Sequence, residues 1–568
     1  MTAATVDKAF PRLDPAELAL VAKLGREQQL ADGETAFVAG DADIDFCVVL
    51  EGALDVVNPS DHDKRVATHG PGEFAGDIDL LTRRPVIVTA RACGATKVVR
   101  VPGGQLRRLL NVVPRLGEKL IDAFTIRRDL LAGAGVLGIR VMGGAYCAET
   151  TRLREFLHKN FVPFTWIDTD TDAGNDECRD VPGATAFPSV ECQDKTVLVR
   201  PSLRELAGCA GVWRSCPDQT VDLCVVGAGP AGIAAAVYAA SEGLRTIVLD
   251  RLGPGGQVAG SSRIENFIGF PSGLTGTELA TRGVLQMLKF GAGLYAPVDV
   301  TGLRLADEPG GLHELELDCG TTVRAGVVLI ATGVRWRRLE AQGARRFERA
   351  GVYYSCTTVE AYAHDEQDVV VIGPGNSAGQ AAMFMAECCR SRTVHMLLRG
   401  PEIGPGMSEY LCKRILGTPN IKVRTGVEVD AVLGADRVEG VRLRAARRDE
   451  EGPNEASDPK AGAERIDATA VYVFIGAEPH SEWLPAAIER DRKGYVLTGD
   501  AAARTGKWPM DEPPSPLETT VPGILAAGDL RAGSTKRVGF AVGDGSLAVT
   551  CVHALRARAV TGSRRTTL

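Results

Sequence analysis

Hydrophobic and polar positions divide the chain into three stretches of different periodicity. In the first, from residue 1 to about 135, an amphipathic opening over 14–24 leads into short β-like runs at 35–38, 46–50, 54–57, 65–69, 86–92 and 97–101. Gly33, Gly40, Gly52, Gly70 and Gly72 punctuate them. Close spacing and glycine breaks predict a small β-roll or barrel, closed by a helical stretch over 105–131. In the second, 136–215, a continuous apolar strand over 136–142 precedes a helix over 148–160, with Leu153, Phe156 and Leu157 on one face. A strand at 164–167, a hairpin of 189–191 with 196–199 and a helix over 203–207 complete a β-α-β-β-β-α order. The third stretch starts near 220 and carries two strand–glycine turn–helix units, at Val225 and Val370. Its polar segment 447–464, with Pro453, Ser457 and Pro459, reads as a solvated hairpin loop.

Composition narrows the classes. The chain has 568 residues; at roughly 150 residues per domain that is about four folding units. With 45% hydrophobic and 24% charged residues, disorder over most of the length is excluded. A net charge of −7 implies no basic face, so nucleic acid is not expected as a partner. The 14 cysteines include no C-x-x-C pair and suggest no disulfide framework. The eight histidines lack metal-ligand spacing with Cys or carboxylates, so no metal site is expected. Residues 1–18 have no apolar core of a secretory signal. The uncharged run 223–241 holds Gly227, Gly229, Pro230 and Gly232 near its start, which suits a strand–turn–helix better than a membrane span. A cytoplasmic chain without membrane contact is expected.

The first glycine unit follows an apolar strand and reads Gly227-Ala228-Gly229-Pro230-Ala231-Gly232. This G-x-G-x-x-G permits a tight turn and close backbone approach, and the N-terminus of the Ala-rich helix after it offers N–H groups to a pyrophosphate. Asp250 ends the next strand, 246–249, where a carboxylate would bind ribose hydroxyls. The second unit reads Gly373-Pro374-Gly375-Asn376-Ser377-Ala378 and predicts another dinucleotide site. Its following strand, 394–398, ends in Arg399 rather than an acid. A cation there suits the 2′-phosphate of NADPH. Two dinucleotide sites suggest hydride transfer between a nicotinamide and a flavin.

Further motifs carry a resemblance. Pro254-Gly255-Gly256-Gln257, the run Ile264-Glu265-Asn266-Phe267-Ile268-Gly269, Ala331-Thr332-Gly333 and Ala527-Gly528-Asp529 resemble the flavin-contact segments of low-molecular-weight thioredoxin reductases. The resemblance covers the chain from about residue 220 onward. It implies FAD bound by 220–335 together with 480–568, an NADPH domain at 336–475 inserted between them, a swing of that domain during turnover, and a homodimer. It places Asp529 on the ribityl chain, and Lys536, Arg537 and Val538 along the isoalloxazine edge. The family's reactive disulfide would follow the stretch at Gly351 and Val352. Here Ser355 and Thr358 stand at the two cysteine positions and Cys356 falls between them. Hydroxyls cannot form a disulfide, so that internal relay is missing.

The second stretch resembles a thioredoxin or glutaredoxin fold through Tyr146-Cys147-Ala148-Glu149-Thr150, a C-x-x-T at a strand–helix turn, and through the cis-proline-like segment around Pro188. Cys147 takes the nucleophile position, and a helix N-terminus there favours thiolate. A redox thiol and a docking module of redox ancestry both remain open, as do a one-thiol site and a buried small hydrophobe for Cys356. The first stretch resembles a cyclic-nucleotide-binding domain through Gly33-Glu34, Gly40-Asp41, Gly52 and Gly72-Glu73-Phe74. Gly76-Asp77 replaces the family's Gly-Glu, and Val86 follows Pro85 where the phosphate arginine belongs. Losing the charged partner of a buried phosphate costs about 2–5 kcal/mol, roughly 30- to 4000-fold in affinity. Arg83 or Arg84 could substitute; otherwise the module is regulatory or packs a dimer.

The expected fold class is therefore α/β: two Rossmann-like dinucleotide domains for FAD and NADPH, preceded by a β-roll at 1–135 and a small thioredoxin-like domain at 136–215. The expected function is an NADPH-dependent FAD oxidoreductase that passes electrons to a disulfide or thioredoxin-like acceptor. A ferredoxin, flavodoxin, quinone or oxygen reductase is the first alternative, and a flavin-based redox sensor read through the N-terminal module the second.

Overall fold

The computed structural model describes residues 7–76, 79–82, 84–133, 139–179, 181–261, 263–356, 364, 366–404, 406–446 and 464–565. In the N-terminal module the short β-runs fuse into two long strands, Phe46–Asn58 and Thr89–Val101, which pair antiparallel. Gly52 is a register shift inside the first rather than a break: its φ is +81° and a Cβ there would lie 2.6 Å from the Ala95 carbonyl oxygen. The opening helix Pro15–Leu24 starts on a capping box, with Asp14 accepting from the Glu17 N–H and Glu17 from the Asp14 N–H. The expected long helix is two, Gly103–Val112 and Pro114–Gly133, because Pro114 has no N–H to continue the first.

The second module has a four-stranded sheet in the order Val197–Val199, Ser189–Glu191, Arg140–Met142, Thr165–Ile167. Only the last pair is parallel, joined through helix Ala148–Lys159. A helix the pattern did not predict, Asp172–Arg179, precedes the hairpin. One expectation is corrected here: Cys192 and Cys209 form a disulfide, with Cα atoms 5.5 Å apart. The hairpin's return into helix Leu203–Cys209 brings together two thiols 17 residues apart, which spacing alone does not reveal.

The first glycine unit sits in a seven-stranded sheet in which Gly293–Tyr295, Thr246–Leu249, Gln219–Val226 and Thr322–Ile330 run parallel. Ile524–Ala526, from the far end of the chain, joins it parallel to Thr322–Ile330. Between them lies a parallel five-stranded sheet in the order Val352–Tyr353, Ala470–Val473, Val369–Ile372, Val394–Leu397, Ile421–Arg424. Helix Val538–Arg558 is long and apolar enough to cross a membrane by length and composition. Its Ala548, Val549, Cys551 and Val552 pack into the core beside helix Pro230–Ser241, and Gly545 lies so close that a Cβ would be 2.2 Å from the Ala231 carbonyl oxygen. The segment 447–463 lies outside the described residues.

The modules touch through side chains. Leu285 of the first dinucleotide half is buried in the core of the β-roll module. Asn160 donates to the Leu252 carbonyl at 2.8 Å, and Lys159 to the Gly256 carbonyl at 3.3 Å. Tyr146 meets His364 edge to face at 5.6 Å.

Candidate dinucleotide sites

Strand Gln219–Val226 is apolar throughout its last four residues, all buried, and it delivers the first glycine turn to the carboxyl end of the parallel sheet. That is where open α/β sheets bind ligands. Gly227 has φ +107°, and a Cβ there would lie 2.4 Å from the Ala331 carbonyl oxygen. Gly232 serves packing: a Cβ would fall 1.9 Å from the Gly227 carbonyl oxygen. Pro230 opens helix Pro230–Ser241 at a position that needs no N–H. A cleft of about 800 Å³ opens over this turn. Gly227, Gly229, Pro230, Ala231, Asp250 and Gly256 line it. Gln257, Thr332, Gly333, Gly528 and Asp529 follow, then Lys536, Arg537 and Val538. The structure thus gathers nearly all the predicted flavin residues from segments more than 300 positions apart.

Asp250 does more than expected. Its carboxylate accepts from the N–H groups of Ala228 at 2.8 Å, Leu252 at 2.9 Å and Gly253 at 2.8 Å. It fastens the turn to the next loop while keeping lone pairs for ribose hydroxyls. Burial pushes the Asp529 carboxyl above its ordinary value, opposed by the Lys536 ammonium. Lys536 in turn donates to the Tyr495 hydroxyl. Thr332 donates to the His480 carbonyl at 2.8 Å, and burial, with Arg251 nearby, holds the His480 ring below its usual pKa. Asn266 is a correction. It is exposed and does not line the cleft, because its loop closes on itself through Ile264 N–H to Leu274 O at 2.7 Å and Arg263 to Ser272 O at 2.9 Å.

The second turn uses the same device. Gly373 has φ +139°, and a Cβ there would be 2.2 Å from the Phe474 carbonyl oxygen. Ala378, in place of a third glycine, is fully buried. Gly375, Asn376 and Ser377 face the same cleft as the first turn, whereas Gly373 and Arg399 line a neighbouring groove with Arg345 and Arg346. Asn376 accepts from the Ser408 N–H at 2.8 Å, which fixes its side chain.

Ser355 and Cys356 line the first cleft, and Cys356 bridges through its backbone to Ser261. Cys356 is buried at 4% exposure. Thr358 lies outside the described residues. Cys147 lines neither cavity; it is the N-cap of helix Ala148–Lys159, two elements away. Beside it the Thr150 hydroxyl is fully buried with no hydrogen-bond partner, and a Cβ at Gly143 would touch both Thr150 and Pro188. The Phe187–Pro188 bond is cis.

In the β-roll module the segment at Phe74 to Gly76 is bound by the module's own closing helix. Arg127 donates to the carbonyls of Phe74 and Gly76 at 2.9 Å and lies 4.3 Å over the Phe74 ring. Arg128 pairs with buried Asp79 at 2.8 Å. Val86 is buried; Asp77 and Arg83 lie outside the described residues; Arg84 lines a different cavity, at the junction with the other modules.

Several cleft residues carried no sequence signal. Trp336 and Phe474 meet edge to face at 6.5 Å and line the cleft. Arg251 directly follows Asp250, where a reading that stops at the acid overlooks it. Lys159 reaches the cleft from another module, which nothing local to its helix announces.

Two glycine turns that exclude a side chain, each opening a helix at the carboxyl end of a parallel sheet, define a two-dinucleotide oxidoreductase architecture. Residues 221–545 match the pyridine nucleotide-disulphide oxidoreductase family, and the chain belongs to it. Residues 27–112 match the cyclic nucleotide-binding domain. A Bacillus subtilis NADH dehydrogenase is 32% identical over 334 residues, covering 58% of this chain and 57% of that one. A Mycolicibacterium smegmatis thioredoxin reductase is 31% identical over 332 residues, covering 58% of this chain and 95% of that one. The solved thioredoxin reductase of T. acidophilum superposes with a TM-score of 0.51 at 26% identity, over 59% of this chain and 99% of that one. This chain therefore spans only about half of the first relative's length.

Proposed function

We propose that this chain takes electrons from NADPH onto FAD and delivers them to a disulfide acceptor, without an internal C-x-x-C. The observation that carries the reading is the composition of one cleft. It joins the first glycine turn, the second turn's Gly375 to Ser377, and the Ser355–Cys356 loop.

The residues fit the cofactor. The Gly227 cradle admits backbone and diphosphate but no side chain. Asp250 keeps acceptor capacity, and Asp529 with Lys536 supplies a polar pair in the cleft lining. When bound, FAD supplies a two-electron carrier between reduced pyridine nucleotide and acceptor. Arg399, with Arg345 and Arg346 beside it, favours the 2′-phosphate of NADPH over NADH. The balance is simple: NADPH gives NADP⁺, a proton and two electrons, and an acceptor disulfide takes two electrons and two protons to become two thiols, so one proton is consumed overall.

The 136–215 module serves this reading as a thioredoxin-like docking module, with Cys147 as its candidate thiol. Its buried, unpartnered Thr150 hydroxyl and Pro188 beside the turn support that assignment. A homodimer is part of the proposal: Tyr238, Phe540 and Leu547, on two helices packed together, expose 44%, 57% and 39% of their surfaces.

Anaerobic stopped-flow tests the reading, with NADPH mixed first and acceptors second. Bleaching of the flavin band by NADPH, then its return on adding a protein disulfide, is the expected result. The Cys147→Ser, Cys356→Ser double variant keeps the first phase; if it also keeps the second, neither cysteine relays electrons. Return of the band with ferredoxin and not with a disulfide would overturn the acceptor, and a chain that purifies colourless and takes up no FAD would overturn the whole reading.

A further inference from the structure

The Cys192–Cys209 disulfide joins two short elements of the second module. Cys192 follows strand Ser189–Glu191 at the turn of its hairpin, and Cys209 is the last residue of helix Leu203–Cys209. Cys192 is buried, at 4% exposure. Cys209 is partly exposed, next to an exposed Gly208 that has open space over its Cα. Hairpin strands of three residues and a helix of seven gain little from their own hydrogen bonds. The covalent tie therefore decides where the hairpin sits. A chain with several hydrophobic cores does not need such a tie in order to fold.

Both elements meet the β-roll module at one segment. Gln193, in the hairpin turn, donates to the Ile87 carbonyl at 2.9 Å. Gly211, just past the helix, lies where a Cβ would be 3.1 Å from the Pro85 ring. Between them Val86 is buried, its N–H donating to the Asp41 carbonyl at 2.9 Å and its carbonyl accepting from Gly40 at 2.8 Å. The helix is fixed independently of the disulfide. Arg204 pairs with Asp318 of the first dinucleotide half at 2.6 Å, and Trp213 packs against the cores of both modules. The hairpin is thus the part that the disulfide holds against residues 85–87.

We propose that Cys192–Cys209 is a thiol–disulfide exchange site for a dithiol, and that its reduction releases the hairpin from the β-roll module. One thiol of the dithiol loses its proton and attacks Cys209, the reachable sulfur; the Cys192–Cys209 bond breaks and Cys192 leaves as thiolate. The second thiol gives its proton to Cys192 and, as thiolate, displaces Cys209 from the mixed disulfide. Cys209 takes up the proton the first thiol released. The pair gains two electrons and two protons, and the dithiol becomes a disulfide; the same couple runs in reverse. No step uses either dinucleotide site.

The test treats the full-length chain, as purified and without NADPH, with dithiothreitol or with reduced thioredoxin. Acid quench, alkylation and peptide mass analysis then count the thiols. Reduction of the 192–209 pair in the folded chain by at least one of the two is expected, and the faster arm names a small or a protein dithiol as the partner. Amide hydrogen exchange should then rise at least about tenfold at Val86 and through 189–199, and stay unchanged through the helix at 203–209. The Cys192→Ser, Cys209→Ser double variant should show the raised exchange with or without dithiol. If that variant fails to fold, Gln193→Ala, which keeps the disulfide but not the bond to Ile87, should raise exchange at Val86 on its own. Two alkylated cysteines after treatment with oxidised dithiothreitol overturn the proposal. So does a disulfide that opens only when the chain unfolds, or reduction that leaves exchange at Val86 unchanged. These outcomes are independent of whether NADPH reduces the flavin.

Discussion

The two glycine turns are nearly the same backbone put to different electrostatic use. At each, the first glycine lets a crossing main chain approach where any Cβ would collide: Ala331 at Gly227, Phe474 at Gly373. At each, a four-residue strand lies buried next to it. They part at the end of that strand. Asp250 is half-buried and ties three backbone N–H groups together, so it would be needed even without ligand. Arg399 is exposed at the mouth of an arginine-lined groove. On the proposed function, one turn carries an anchor that also recognises; the other carries recognition alone. The first should therefore fail structurally when altered, and the second only in selectivity.

The sharpest way to break this comparison is to fill the first cradle. Gly227→Val puts a branched side chain at φ +107° and within 2.4 Å of a carbonyl oxygen. Strain and collision together exceed the usual 0.5–3 kcal/mol range of single substitutions, so flavin content should drop below about one-tenth of wild type. The absorbance ratio of flavin to protein after purification measures it. A yellow variant with full occupancy would mean that the cradle is not the binding site.

Next in size is acid stability, which the two halves should share. His313 in the first half and His364 in the second are both buried, and burial pushes each down to about 4. The Ala306 N–H donates to His313 Nδ1 at 3.1 Å, and His364 bonds the Tyr353 hydroxyl at 3.1 Å. The unfolded chain binds protons first, near pH 6.5. Stability is then complete above pH 6.5 and lost as pH falls toward 4, by about 3 kcal/mol for each ring. Thermal melts between pH 7 and 4.5 check this, and His364→Gln should flatten the fall. An unchanged slope in that variant would assign the acid limb to other groups.

Much of this was legible because it is local. Glycine spacing, an apolar strand before it and the residue closing the next strand all lie within about 25 positions, and strand 246–249 was placed to the residue. What was not legible depends on contacts between distant segments. The Cys192–Cys209 bridge exists only because a hairpin turns back on a helix. Gly52 read as a strand break, yet it lies within a continuous strand, because a glycine at positive φ can bulge without ending the pairing. Asn266 carries the family's spelling but its loop folds on itself, away from the cleft. Lys159, reaching the flavin cleft from another module, has no signal in its own helix at all.

Arg399 tests the other side of the comparison with a smaller effect. If Arg399 meets the 2′-phosphate as proposed, Arg399→Ala removes that charge-assisted contact and nothing the fold uses, so Tm should stay within about 1 °C of wild type. NADPH should bind about 10- to 100-fold more weakly, while NADH, which has no 2′-phosphate, barely changes. Rapid-mixing titration of flavin bleaching with each nucleotide measures the ratio. Equal loss for both would show that Arg399 supports the turn, as Asp250 does, and the contrast between the turns would vanish.

The smallest effect concerns Lys159, which crosses between modules to the loop beside the first turn. Its bond to the Gly256 carbonyl is 3.3 Å long, with the ammonium partly solvated. A single such bond contributes about 0.5–1.5 kcal/mol, and its length puts it at the lower end. Lys159→Ala should therefore weaken FAD binding only about two- to threefold by fluorescence titration of the apoprotein. Asp250→Asn, which turns one of the two accepting oxygens into an NH₂ that cannot accept from a backbone N–H, should cost more in stability than in affinity. If Lys159→Ala instead strips the flavin, the second module and not the glycine turn's own anchor would be what holds the first site together.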